Sequence, residues 1–283
     1  MKFSRLGAPG SEIPVVHLDG STYDLRPLTS DIDGAFLASG PVARVAETVD
    51  AGDLEPLPDA SSLRIGAPIA RPGKLICVGL NYAGHAAETG AKIPAEPIIF
   101  LKGSDTVVGP YDDVLIPRGS TKTDWEVELG VVIGRTARYL GPDDDALDYI
   151  AGYVVSHDVS EREFQLERGG QWTKGKSCET FNPLGPWLVT ADEVPDPQAL
   201  ALSLQVNGVP RQASTTDDMI FPVAELIRYL SGFMVLEPGD LINTGTPAGV
   251  GLGIEGNPYL RDGDVVELTI EGLGAARQKL VQA

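Results

Sequence analysis

The run Trp125-Glu126-Val127-Glu128-Leu129-Gly130-Val131-Val132-Ile133-Gly134 is an apolar, β-branched strand interrupted by two carboxylates. Alternation along a strand places Glu126 and Glu128 on one face and Val127, Leu129 and Val131 on the other. Two like charges held side by side in a core are strongly unfavourable unless a cation neutralises them or one takes up a proton. The plainer alternative is an edge strand whose acidic face is wet.

Working outward, the same strand-like texture recurs at 74–80, 97–101, 113–116, 150–157, 184–190, 202–206, 240–244 and 264–270. Helices are few, the clearest spanning 222–230 with Pro222 at its start. Strands this numerous, without regular helical alternation, predict an α+β, β-rich body rather than a doubly wound parallel sheet. Residues 1–70 hold short β-like runs and one helical patch at 41–49, and Arg71-Pro72-Gly73 punctuates the chain after them. The expected organisation is a small N-terminal accessory domain over 1–70 and a main domain over 71–283.

Composition narrows the function. Forty acidic against 22 basic residues leave a formal charge of −18, which repels phosphate backbones and anionic lipid. Neither nucleic acid nor membrane is therefore an expected partner, and an anionic substrate would need local positive charge. The two cysteines, Cys77 and Cys178, are too few for a disulfide framework and form no zinc-ligand cluster. With no apolar h-region in MKFSRLGAPGSEIP and no 18-residue apolar run, a cytoplasmic location is expected.

A third acid, Asp158, ends the strand-like run Gly152-Tyr153-Val154-Val155-Ser156-His157-Asp158. Ser160-Glu161-Arg162-Glu163 follows as a capping box, which predicts a helix directly after it. Glu126, Glu128 and Asp158 would supply three oxygen ligands, a set suited to Mg²⁺ or Mn²⁺ and open to Ca²⁺. His157 should point away from Asp158 and pack. His85 lies three residues before Glu88 in Gly79-Leu80-Asn81-Tyr82-Ala83-Gly84-His85-Ala86-Ala87-Glu88. Such a pair is either an exposed ion pair or an oriented general base, because a carboxylate fixes the imidazole tautomer. The irregular stretch 89–97 after it would suit a lid. Lys174 and Lys176 occupy a Gly-containing loop, and Gly245, Gly249 and Gly251 build a turn able to offer N–H groups to an anion. These features point to a divalent-metal enzyme, with a metal-stabilised binding protein as the alternative.

Taken in order, Gly79–His85, Trp125–Leu129, Ser156–Ser160, Lys176-Ser177, Asp218–Phe221, Leu236–Asp240 and Thr244–Gly251 resemble the fumarylacetoacetate hydrolase family. The resemblance spans roughly 72–270 and is closest to the family's short branch of acylpyruvases, oxaloacetate decarboxylases and 2-hydroxyhepta-2,4-diene-1,7-dioate isomerases. It implies a mixed β-sandwich roll, usually homodimeric, with a metal at its mouth. By that resemblance Glu126, Glu128 and Asp158 are metal ligands, and His85, Glu88 and Lys176 are catalytic. Arg162, Gln165 and Thr246 would contact substrate, and Lys174 would be a surface lysine. The implied activity is metal-dependent C–C hydrolysis of acylpyruvate- or fumarylpyruvate-type 2,4-dioxo acids through a pyruvate enolate. Decarboxylation of oxaloacetate and dienol isomerisation remain alternatives on the same site.

Overall fold

A computed structural model describes the whole chain, Met1–Ala283. Its frame is a nine-stranded sheet built from β1 (Lys2–Leu6), β2 (Ile13–Leu18), β3 (Ser21–Asp24), β4 (Leu75–Gly79), β5 (Ile98–Lys102), β7 (Val127–Ile133), β8 (Ile150–His157), β9 (Leu188–Thr190) and β12 (Leu241–Asn243). The strand order is β3-β2-β1-β9-β8-β7-β12-β4-β5. A second sheet has five strands: β6 (Val114–Ile116), β10 (Ala201–Val206), β11 (Val209–Thr215), β13 (Val265–Ile270) and β14 (Gly274–Gln282). The architecture is the strand-rich α+β fold expected from many strand-like runs with few helices between them.

The wet edge strand does not survive. β7 lies between β8 and β12, antiparallel to both, and all seven of its residues are buried. Alternation then sorts its side chains between two cores. Leu129, Val131 and Ile133 join the larger core with Leu204, Val266 and Leu268 of the second sheet. Val132 faces the other way, into a smaller core with Phe3, Val16, Phe36 and Val45. Glu126 and Glu128 share the parity of Val132, so they lie on the face away from the sandwich interior. β8 alternates likewise: His157 points to the second sheet and Asp158, just past the strand, to the carboxylates.

The N-terminal strands are not set apart from this sheet. β1 pairs with β9 through Lys2↔Val189 and Phe3↔Leu188, continuing the main ladder. The smaller core also mixes residues of both segments, Leu37 and Leu54 with Leu75, Cys77 and Leu241. The expected patch at 41–49 is the helix Pro41–Asp50, and the expected 222–230 helix is Val223–Ser231. No helix is long and apolar enough to cross a membrane.

One local expectation fails. Ser160 and Glu161 pair with Asp124 and Thr123 instead of capping a helix, and only a single π turn, Glu163–Glu167, follows. The capping residues are diverted because Glu161 is buried against Ser120 and Thr123, where its carboxylate accepts both hydroxyls. Long-range pairing outcompetes the local cap.

Candidate active site

The ladder between β7 and β8 brings the three acids together. Ser156 pairs with Glu128 and His157 with Val127, and the Asp158 N–H donates to the Glu126 carbonyl at 3.0 Å. Ligand oxygens of Glu126, Glu128 and Asp158 thereby come within 4.8 Å of one another, all three residues buried. A hard cation with oxygen ligands at about 2.0–2.6 Å can span such a set.

Buried carboxylates require counter-charge, and the chain supplies most of it. Lys176 Nζ donates to Glu126 Oε2 at 2.7 Å and to Asp158 Oδ2 at 2.8 Å. Lys102 Nζ donates to Asp158 Oδ1 at 2.5 Å and to the Phe181 carbonyl at 2.6 Å. Arg162 Nε donates to Asp124 Oδ2 at 2.8 Å and its Nη1 to Gln165 Oε1 at 3.0 Å. Arg162 Nη2 lies 2.7 Å from Glu126 Oε1 but is misaligned for a hydrogen bond, so that contact is one of charge. Burial acts to raise the Glu126 carboxyl, yet Lys176 and Arg162 prevail and hold it well below the usual range. Burial likewise opposes the charge on Lys176, and Asp158 and Glu126 more than restore it.

Glu128 is the exception. Its one hydrogen bond comes from the Gly245 N–H at 2.7 Å, and no basic side chain pairs with it. Burial, then the charges of Asp158 and Glu126, push its carboxyl well above the ordinary range. With Glu128 ionised, the buried groups in contact here are Asp124, Glu126, Glu128 and Asp158 facing Lys102, Arg162 and Lys176, four acids against three bases. The missing positive charge, the all-oxygen donors and their spacing together fit a divalent cation.

His85 and Glu88 sit on the short helix Ala83–Glu88 that follows β4. His85 Nδ1 is 2.8 Å from Glu88 Oε1, and Glu88 Oε2 accepts the Gly249 N–H at 2.8 Å. The carboxylate is therefore pinned from both sides, and His85 Nε2 is the nitrogen left for chemistry. His85 lines the same cavity as the three acids, Arg162, Gln165, Lys176 and Thr246, a space of about 230 Å³.

The Gly-rich turn does bind anions, but they are the chain's own. Besides Gly245 and Gly249, the N–H groups of Gly251 and Leu252 donate to Asp124 at 2.7 and 3.0 Å. The Thr246 hydroxyl donates to the Val127 carbonyl at 2.9 Å and accepts from Gln212 at 2.8 Å, so its contacts brace β7 at the cavity wall. Lys174 is exposed and bonds the Arg168 carbonyl. Sequence reasoning missed Lys102 and Asp124, both fully enclosed in the network. A lysine ending the run Ile98–Lys102 reads as a solvated strand terminus, and nothing local marks it otherwise.

Comparison with known proteins places the chain among similar folds and sequences. The family model described as fumarylacetoacetate (FAA) hydrolase C-terminal matches residues 74–281. A provisionally named hydrolase of Burkholderia multivorans is 52% identical over 280 residues, 98% of each chain. The crystal structure of a provisionally named HpcE protein from Mycobacterium smegmatis superposes with a TM-score of 0.90 at 38% identity, covering 100% of both chains. That of maleylpyruvate hydrolase from Sphingobium sp. SYK-6, in complex with manganese(II) and pyruvate, gives a TM-score of 0.81 at 28% identity, again over 100% of both chains. This chain belongs to the fumarylacetoacetate hydrolase family.

Proposed function

We propose that the protein is a divalent-metal-dependent hydrolase that cleaves the C3–C4 bond of 2,4-dioxo acids of the acylpyruvate or fumarylpyruvate type. One observation carries this reading: the under-neutralised triad Glu126, Glu128 and Asp158 opens into the same cavity as the oriented imidazole of His85. The similar maleylpyruvate hydrolase, crystallised with manganese(II) and pyruvate, supports both the cation and the three-carbon product.

Glu126, Glu128 and Asp158 would hold Mg²⁺ or Mn²⁺. When bound, that ion supplies Lewis acidity toward the carboxylate and 2-oxo oxygens of the substrate. The remaining steps fall to the chain. With Nδ1–H donating to Glu88, His85 Nε2 takes a proton from water, whose oxygen attacks the C4 carbonyl. The C3–C4 bond then breaks, C4 leaves as the carboxylic acid and the electron pair passes to C3. A proton returned to C3 completes pyruvate. Lys176, kept charged by its two carboxylates, adds positive charge where negative charge develops.

Purified protein with Mn²⁺ or Mg²⁺, offered acylpyruvates, fumarylpyruvate and oxaloacetate, should release pyruvate from the dioxo acids, and Glu126→Ala should not. Absence of pyruvate from the dioxo acids with the wild-type protein overturns the reading, whether or not oxaloacetate yields it. His85→Ala separates the mechanisms, since hydrolysis requires the activated water and decarboxylation does not.

A further inference from the structure

The cavity has two chemically distinct ends. Among its seventeen lining residues the only cations are Arg162 and Lys176, and both are already committed to buried carboxylates at the triad. From that end an aromatic wall leads outward: Lys176 Nζ lies 5.2 Å from the centre of the Phe100 ring, and Phe100 meets Trp172 edge-on at 5.5 Å. The edge of the indole packs against the backbone of β4, where a Cβ at Gly79 would come within 2.4 Å of it. Leu166, 42% exposed, and Leu252 complete an apolar lining. Lys92, next to the lining residue Ala91, is exposed to solvent and is not part of the cavity wall, and the other neighbouring cations are engaged elsewhere. Arg168 pairs with Glu163, Lys174 bonds a carbonyl, and Arg211 stacks over Trp125 outside the cavity.

We infer that the substrate tail is uncharged and apolar, so that the site selects 2-oxo monoacids with a hydrocarbon tail over dioates. This rests on the reading above only in seating the 2-oxo carboxylate at the triad. A second carboxylate at the far end would leave water for an apolar wall without a counter-ion, inside a chain of net charge −18. A hydrocarbon tail of the same length loses nothing in that transfer and covers Phe100 and Trp172.

A matched pair of uncleavable probes tests this: 2-oxohexanoate and 2-oxoadipate, which differ by a terminal methyl against a terminal carboxylate. Calorimetric titration in excess Mn²⁺ should show 2-oxohexanoate binding at least about tenfold tighter. Leu166→Arg, placing a cation at the rim, should narrow or reverse the gap. Trp172→Ala should weaken 2-oxohexanoate more than pyruvate, which has no tail. Equal or tighter binding of 2-oxoadipate to the wild-type protein, or no binding of either probe, overturns the inference. Preference for 2-oxohexanoate without cleavage of any dioxo acid would sink the hydrolase reading alone. Cleavage of fumarylpyruvate as efficient as that of an alkanoylpyruvate would leave hydrolysis standing and sink the apolar tail.

Discussion

Glu88 earns its place by two contacts, to His85 Nδ1 and to the Gly249 N–H. Glu88→Gln keeps the shape but removes the charge that orients and strengthens the imidazole base. Steady-state kinetics should show kcat reduced by about 10²-fold or more with KM little changed. His157 illustrates a buried histidine of another kind. Gln278 Nε2 donates to the Pro110 carbonyl, which turns its Oε1 to accept from His157 Nδ1–H at 3.0 Å and leaves Nε2 without a partner. Burial pushes its pKa down to about 4 from the ordinary 6.5. On acidification the unfolded chain takes up this proton first, so the contribution is whole above pH 6.5 and is lost as pH falls toward 4. By pH 5 the loss is about 2 kcal/mol. Denaturant titrations at pH 7 and pH 5 should show a larger drop in the wild type than in His157→Gln.

The turn Thr244–Gly251 decides the site at the level of elements, because its N–H groups hold Glu128, Glu88 and Asp124 at once. Gly249 is irreplaceable there: its φ is +106°, and a Cβ would lie 1.9 Å from the Arg211 carbonyl. Gly249→Ala should cost more than about 2 kcal/mol in chemical denaturation and lower activity through the displaced Glu88. The glycines were visible in the sequence, but their ligands were not, since Glu88 and Asp124 are brought to the turn only by the folded sheet. The hairpin at Asn207-Gly208 is a tight one: both residues have positive φ and join Val206 to Val209 directly.

At the scale of the molecule, residues 1–70 and 71–283 share one sheet and one of its two cores. A fragment starting at residue 71 would expose the edge of β9 and the apolar face of Leu75, Cys77 and Leu241. It should aggregate or lack a cooperative thermal transition, whereas a self-sufficient main domain would melt cooperatively. The charge deficit at Glu128 has a global consequence too. A cation that binds only the native triad stabilises it by about 2.7 kcal/mol at a hundredfold excess over its Kd. Excess Mn²⁺ should raise Tm, EDTA should reverse the rise, and Glu128→Gln should abolish most of it.

Strand alternation and helical periodicity act between near neighbours, so the sequence alone determined the strand-rich body, the shared face of Glu126 and Glu128 and the Val223–Ser231 helix. The ordered motifs were sufficient to name the family, because their joint spacing is specific where each alone is not. Everything that depends on separation in sequence was decided by tertiary structure. Whether the acidic face of β7 is wet or enclosed turns on which strands flank it, and whether Ser160 caps a helix or pairs with Asp124 turns on a partner 36 residues away. Lys102, 56 residues from Asp158, neutralises it only once β5 and β8 lie in one sheet. Charge compensation is a matter of distance in space, and no local pattern in the chain encodes it.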